Sequence, residues 1–209
     1  MKSFETCTDS LCLPGRDGQD RVLVLPPLLA VVDGAGGVAG GHEAADACIA
    51  WFRACNLHGL RRRDAGIRLL RKVVELDDVL NRAPETGEAA LAAVVLTHDG
   101  GCAVVAGDCE VWLDDGAGFR PLSEGRAGPR VGTRCATPKV VTFAPPRRLL
   151  LVTDGISKAT TMRRSLRQPH LSLQRLVDDS RLPNGALGDD IAAVLVDDRG
   201  QTQPDHSDA

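Results

Sequence analysis

The chain has 209 residues, of which 25% are charged and 43% hydrophobic, and its formal net charge at pH 7 is -3. This length accommodates one well-buried domain. The slight negative charge argues against a nucleic-acid surface, and no apolar run approaches the roughly 18 residues of a membrane helix. The N-terminal segment contains Glu5 and Asp9 and lacks an apolar core, so it does not resemble a signal peptide and predicts a cytoplasmic protein.

After an irregular start, the first half of the sequence predicts two strands and then two helices. The strands are residues 21–25 and 28–32, and Pro26-Pro27 between them suits a hairpin-like corner. The helices are residues 43–56 and 64–82. The second helix has an apolar residue at positions i, i+4, i+7 and i+11, namely Leu69, Val73, Leu76 and Leu80. Both helices are therefore expected to lie on a sheet.

The second half of the sequence predicts mostly strands. They cover residues 89–96, 102–106, 110–113, 140–143, 149–153 and 191–196, and helices are predicted at 156–167 and 171–179. Turn residues at 98–101 lie between the first two of these strands and turn residues at 114–116 follow the third, which indicates an antiparallel meander. Helix pairs with several antiparallel strands are typical of a layered α+β fold. The polar tail, residues 197–209, is expected to be disordered.

Four short apolar runs meet an aspartate at one end. The aspartates are Asp33 after LLAVV, Asp108 after CAVVAG, Asp154 after LLLVT, and the pair Asp189-Asp190 before IAAVLV. Such runs predict buried strands, so the acids converge if the strands are neighbours. Carboxylates brought together without Lys or Arg beside them resist ionising, and a divalent cation held by oxygen ligands relieves their repulsion. The pattern therefore predicts a metal site.

The remaining acidic pairs and the cysteines are not expected to belong to this site. The other aspartate doublets predict solvated turns or helix surfaces, and they are Asp77-Asp78, Asp114-Asp115, Asp178-Asp179 and Asp197-Asp198. The seven cysteines form no CxxC pair, and their odd number leaves at least one unpaired. Most are expected to be small buried side chains, with Cys48 and Cys55 packing on one helix face.

Two other motifs compete for residues 33–46. Residues 34–39, GAGGVA, match the dinucleotide pattern GxGxxA between a strand and a helix. A second helix then follows in place of the parallel strand that this pattern requires, so an NAD-binding domain is a disfavoured alternative. His42-Glu43-Ala-Ala-Asp46 differs from the zinc motif HExxH in its last residue. Acids in the first turn of a helix are the simpler interpretation.

Five collinear segments resemble those of a known family. GRDGQDR, LLAVVDGAGGVAGGHEAA, AVVAGDCEVWL, LLLVTDGIS and GDDIAAVLV are similar, in this order, to conserved segments of the metal-dependent serine/threonine protein phosphatases of the PPM (type 2C) family. The resemblance implies a four-layer α-β-β-α sandwich of two antiparallel sheets flanked by helix pairs, formed by residues 1–196 as a single domain. It also implies hydrolysis of phosphoserine and phosphothreonine by a metal-bridging water in a two-metal site.

Carried over residue by residue, the resemblance implies catalytic ligands for two Mn2+ or Mg2+ ions. Asp33 would bridge the two ions, and the Gly34 carbonyl would help to bind one of them. Asp154 and Asp189 would hold the other ion, with Asp190 as the alternative to Asp189. Asp20 would act in the first or second coordination shell through water.

The outer positions of the implied metal site depart from the motifs of the family. Asp108 matches the acid that binds a third, weaker ion in many members, and Arg16 is the candidate phosphate-binding guanidinium, although its spacing is one residue short. Gln19 replaces an acid, and Ser157 is assigned to the second acid of the motif TDGLxD. Ala35 stands where some members have a histidine proposed as general acid. These departures leave a second hypothesis open, a catalytically weak pseudophosphatase that acts as a regulatory protein-binding module.

The short loops of the chain resemble those of small bacterial phosphatases that act on one protein partner in a signalling circuit. The resemblance therefore implies a phosphorylated protein as substrate, with no nucleic-acid or membrane partner. The sequence predicts neither the oligomeric state nor the choice between Mn2+ and Mg2+.

Overall fold

The computed structural model describes residues 6–35, 40–122, 128–134, 136–159, 162–167 and 171–198. These residues form the strands β1 to β10, which are in order Thr6–Leu13, Arg21–Leu25, Leu28–Ala35, Glu88–Thr97, Gly100–Ala106, Glu110–Asp114, Phe119–Pro121, Lys139–Phe143, Arg148–Val152 and Ile191–Asp198. They also form the helices α1 to α5, which are Gly41–Arg53, Arg62–Asn81, Asp154–Ser157, Met162–Ser165 and Leu173–Asp179. None of these helices is both long and apolar enough to cross a membrane.

The strands form two five-stranded antiparallel sheets. One sheet has the order β2-β3-β4-β5-β8, and the other has the order β1-β10-β9-β6-β7. Helices α1 and α2 pack on the outer face of the first sheet, and α3, α4 and α5 pack on the outer face of the second. This arrangement confirms the predicted α+β sandwich of four layers.

The inner strands β3, β4, β5, β9 and β10 are continuous apolar runs because both of their faces are buried. Side chains alternate across a strand, so in β3 Leu28 and Ala30 pack towards α1 and α2, whereas Leu29 and Val31 pack between the sheets. In the same way, the alternate residues of β10 pack either between the sheets or against α3 to α5. The core therefore consists of three apolar layers.

The two long helices bury the faces that the sequence predicts, and the first helix ends earlier than predicted. Leu69, Val73, Leu76 and Leu80 of α2 are all buried. Helix α1 ends at Arg53, so Cys55 lies beyond it, although Cys55 still packs beside the same core as the buried Cys48. The prediction of both cysteines on one helix face is therefore wrong only in the extent of the helix.

Several predicted boundaries need correction. Strand β1 occupies the segment predicted to be irregular, and it pairs with β10 along its whole length. As an edge strand with exposed residues, β1 lacks the apolar run that marks the inner strands. The short strand β7 was not predicted either, and the predicted helix 156–167 contains the two short helices α3 and α4. Strand β10 continues to Asp198, whereas residues 199–209, Cys135 and residues 36–39 lie outside the described residues.

Asp114, at the end of β6, is buried and does not form the solvated turn predicted for it. Its carboxylate accepts hydrogen bonds from the N–H groups of Gly116 and Gly118, and Arg148 Nη2 lies 2.7 Å from its Oδ2. We expect Asp114→Ala to lower the free energy of unfolding by about 3 kcal/mol, because it leaves these donors unpaired. Urea unfolding measures this change. The exposed Asp115 provides the control, since Asp115→Ala is expected to change stability by less than about 0.5 kcal/mol; equal effects would contradict this account.

Candidate metal centre

Three carboxylates meet at one end of the sandwich. Asp33 lies in β3, Asp108 lies in the turn between β5 and β6, and Asp154 is the first residue of α3. One oxygen of each carboxylate lies within 4.8 Å of the others. Asp154 is buried, and the other two are partly buried. The structure thus brings together three of the acids that the sequence predicts to converge, and we call these three residues the carboxylate cluster.

Asp20 is also buried, and it lies near enough to Asp33 and Asp154 to interact with their charges. The hydroxyl of Thr153 donates a hydrogen bond of 2.7 Å to Asp20 Oδ2. Burial, together with the negative charges of Asp33 and Asp154, raises the pKa of Asp20 to about 8, although the bond from Thr153 opposes this shift. The ionisation of Asp20 is therefore linked to the charges of the cluster.

Two carboxyl groups of the cluster, those of Asp33 and Asp154, resist ionisation. Burial raises the pKa of Asp33 to about 7, and the nearby charges of Asp154 and Asp108 contribute to the rise. Burial also raises the pKa of Asp154, against the opposing hydrogen bond from Lys158. Without a bound cation, Asp33 and Asp154 therefore keep their protons to a higher pH than an ordinary aspartic acid does.

The donor set fits a divalent cation. Asp108 Oδ1 is buried and accepts no hydrogen bond from any part of the chain that the structure describes. A buried carboxylate oxygen without a donor is costly, and a cation in the cluster would satisfy it. Oxygen-only ligands are those preferred by Mg2+, Mn2+ and Ca2+. Asp33, Asp108 and Asp154 could therefore hold such an ion.

Asp190 holds the loop that precedes β2. Its Oδ1 accepts hydrogen bonds from the N–H groups of Gly15 and Arg16, at 2.8 and 2.9 Å, and its Oδ2 accepts one from Gln19 at 2.6 Å. Burial raises the pKa of Asp190, but these backbone donors outweigh it and lower the pKa overall. The side chain of Arg16 is exposed on this loop, and its contact with phosphate stays a prediction.

Asp189 has a different environment from Asp190. It is exposed, and its Oδ1 accepts a hydrogen bond of 3.0 Å from the Asp190 N–H. Its Cβ lies 3.4 Å from the position that a Cβ would take on Gly155, and its negative charge contributes to the raised pKa of both Asp33 and Asp154. This geometry favours Asp189 over Asp190 as a ligand, because both oxygens of Asp190 already accept backbone hydrogen bonds.

Two glycines let the backbone approach closely at the site. A Cβ on Gly34 would collide with the carbonyl oxygen of Gly41, so glycine allows β3 to pass beside the start of α1. Gly107 has a φ of 78°, and a Cβ there would lie 2.9 Å from the Cα of Ala90. Glycine adopts this left-handed backbone without strain. Gly107 directly precedes Asp108 of the cluster in the same turn.

Two cations beside the carboxylates were not predicted from the sequence. Lys158 Nζ forms an ion pair with Asp154 Oδ2 and lies 3.7 Å from Asp108 Oδ2. Arg130 Nη2 lies 3.8 Å from the same Asp108 oxygen. The expectation of acids without Lys or Arg beside them is therefore wrong. Lys158 carried a signal in the sequence, because counting TDGLxD from Thr153 places its last acid at this residue and not at Ser157.

Asp77 holds the segment that carries Arg130. It is buried, against the prediction of a solvated helix surface. Its Oδ1 accepts hydrogen bonds from the N–H groups of Gly132, at 2.7 Å, and Arg134, at 3.2 Å. No pattern in the sequence indicates this contact, since the donors follow Asp77 by 55 and 57 residues.

The two competing motifs find no support in the structure. Strand β3 is antiparallel to both of its neighbours, β2 and β4, whereas the dinucleotide motif requires a parallel strand beside it. The rest of that motif, residues 36–39, lies outside the described residues. His42, Glu43 and Asp46 are exposed on α1, and Asp46 pairs with Arg21 at 2.6 Å. The observed pairing makes Asp46 a surface partner of Arg21.

The raised pKa values predict that the metal-free protein loses stability as the pH rises. Asp33 and Asp20 ionise near pH 3.8 when unfolded but at about 7 and 8 when folded, so between these limits the folded state binds more protons and stability falls with pH. We expect a lower Tm at pH 8 than at pH 5 for chelator-treated protein. Saturating Mn2+ should reverse this trend, because cations bind the ionised carboxylates. If the Tm of the metal-free Asp33→Asn variant fell with pH as steeply as that of the native chain, the raised pKa of Asp33 would be contradicted.

The fold is that of the PPM-type serine/threonine phosphatases. PppA of Pseudomonas aeruginosa, described as a key regulatory component of T6SS, is 16% identical with a TM-score of 0.79, covering 92% of this chain and 97% of that chain. The catalytic domain of the serine/threonine phosphatase PstP, in complex with two manganese ions, is 20% identical with a TM-score of 0.77 and coverages of 92% and 97%. Stp1 of Staphylococcus aureus is 14% identical with a TM-score of 0.72 and coverages of 94% and 95%. No protein-family model matches the sequence, and no curated protein matches it.

Proposed function

We propose that the chain is a metal-dependent phosphoprotein phosphatase of the PPM (type 2C) family that hydrolyses phosphoserine and phosphothreonine. The observation that carries the proposal is the convergence of Asp33, Asp108 and Asp154, one oxygen of each lying within 4.8 Å of the others. The fold adds support, since the similar PstP catalytic domain is in complex with two manganese ions.

Asp33, Asp154 and Asp189 would hold two Mn2+ or Mg2+ ions, with the Gly34 carbonyl assisting and Asp20 acting through water. Such ions, when bound, supply a water of lowered pKa and neutralise charge on the phosphoryl oxygens. The chain itself fixes the ligands: the Thr153 hydroxyl holds the carboxylate of Asp20. No protein nucleophile is required for this chemistry.

The same site is open to a phosphorylated side chain on one flank. Asp20 and Asp154 are buried, whereas Asp189 is exposed and Lys158 has 65% of its side-chain surface exposed. The loop held by Asp190 would place the Arg16 guanidinium where it can bind phosphate oxygens. We further propose that residues 1–196 act as one cytoplasmic domain on a phosphoprotein partner in a signalling circuit.

One observation favours a second candidate, a pseudophosphatase that binds a protein without turnover. Lys158 and Arg130 place positive charge against the carboxylate cluster, so part of its repulsion is relieved without a metal ion. A protein in which these cations replaced the catalytic ions would keep the fold and lose hydrolysis.

Hydrolysis of a phosphothreonine peptide and of p-nitrophenyl phosphate by metal-stripped protein separates the two candidates. Turnover restored by Mn2+ or Mg2+ and removed by chelator would support the phosphatase. A folded protein that hydrolyses neither substrate at any concentration of Mn2+ or Mg2+ would favour the pseudophosphatase. A folded protein that neither binds metal nor hydrolyses phosphate would contradict the metal centre itself.

A further inference from the structure

Lys158 places a positive charge between two acids of the carboxylate cluster. It follows Asp154 by four residues, one helical turn, and residues so spaced face each other. Its Nζ pairs with Asp154 Oδ2 and lies 3.7 Å from Asp108 Oδ2. A lysine ammonium is protonated at neutral pH, so Lys158 brings a full positive charge to these two acids.

The position of Lys158 is one where the resembled motif TDGLxD has an acid. An aspartate there would add a carboxylate beside Asp108, and together they would attract a further cation. A lysine has the opposite effect, because its ammonium occupies the space between the two carboxylates and repels a divalent ion. Arg130, whose Nη2 lies 3.8 Å from Asp108 Oδ2, adds a second positive charge near the same oxygen.

We propose that the Lys158 ammonium replaces a third metal ion beside Asp108, so that the chain binds two divalent ions and no more. The inference rests on the proposed two-metal site. Asp108 Oδ2 is neutralised by Lys158 and Arg130, and its buried Oδ1 keeps no donor among the described residues. Oδ1 of Asp108 thus stays available to a bound ion, whereas the negative charge at Oδ2 is balanced by Lys158 and Arg130.

The number of Mn2+ ions bound per chain, measured by equilibrium dialysis up to millimolar Mn2+, tests this inference without any assay of activity. The native chain should bind two ions. Lys158→Asp should bind a third, and Lys158→Met, which removes the cation without adding a ligand, should bind a third ion about tenfold more weakly than Lys158→Asp. Arg71→Asp, on the exposed side of α2, makes the same change of charge as a control and should bind two ions.

Each result has a distinct meaning. Three ions on the native chain would overturn the inference and leave the proposed two-metal site intact. No bound ion on the native chain would overturn both. Two ions on both Lys158 variants, with circular dichroism spectra of folded protein, would show that Lys158 does not exclude the third ion and would also overturn the inference.

Discussion

Replacing Asp33 by asparagine is expected to lower kcat for a phosphothreonine peptide by about 10³-fold or more and to abolish tight Mn2+ binding. Asparagine keeps the shape of the side chain but removes its charge. Asp33 contributes one of the oxygens that lie within 4.8 Å of one another in the cluster, so no other carboxylate can substitute for it without moving β3. Phosphate release and Mn2+ titration measure the two losses.

The same variant should make the metal-free protein more stable. Burial and the charges of Asp154 and Asp108 raise the pKa of Asp33 to about 7, so ionised Asp33 destabilises the folded state and its removal should raise the Tm at pH 8. Asp78→Asn, on the exposed surface of α2, is the matched control and should change neither the Tm nor the turnover. A fall in Tm with retained turnover would mean that Asp33 is a structural residue.

The two adjacent acids before β10 should separate stability from metal binding. We expect Asp190→Asn to lower the free energy of unfolding by about 2 kcal/mol, because the N–H groups of Gly15, Arg16 and Gln19 lose carboxylate acceptors. Asp189→Asn should change stability by less than about 0.5 kcal/mol but weaken Mn2+ binding by about 100-fold. Urea unfolding and Mn2+ titration give the two quantities for each variant.

The reverse pattern would contradict the assignment. If Asp190→Asn lost Mn2+ binding while its unfolding midpoint was unchanged, Asp190 would be the ligand and its contacts with the loop would be incidental. Asp9→Asn, an exposed acid on β1, controls for the loss of one negative charge. This control should match the native chain in both measurements.

The sandwich could be predicted because its inner strands are buried on both faces. Each position of such a strand needs an apolar side chain, which produces the continuous runs seen in β3 and β9. Strand β1 escaped prediction because hydrogen bonds to β10 hold it at the edge of a sheet, where one face can remain polar. Its sequence, TCTDSLCL, therefore has no run to indicate it.

The convergence of Asp33, Asp108 and Asp154 could be predicted for a related reason. Each acid stands directly after a buried run or one glycine beyond it, and the runs form strands that meet at one end of the sandwich. Asp20 was placed by the resemblance alone, and the resemblance also chose Asp189 over Asp190 within the predicted pair; the assignment of Asp20 and Asp189 as ligands stays a prediction.

The supporting contacts could not be predicted, because they join residues far apart in the sequence. Asp190 accepts hydrogen bonds from residues 171 to 175 positions away, and Asp77 accepts them from a loop that follows β7. A backbone N–H donor is available on almost every residue, so the sequence carries no mark of which one a buried carboxylate will bind. Lys158 is different, because its position four residues after Asp154 could have indicated the ion pair.

A crystal structure of the native chain grown with Mn2+, with anomalous scattering used to locate the ions, tests most directly whether the carboxylate cluster is a two-metal centre. We expect two anomalous peaks that share Asp33 as a ligand, one of them also bound by Asp154 and Asp189, and no peak between Asp108 and Lys158. Ordered protein at saturating Mn2+ with no peak at Asp33 would contradict the proposed function.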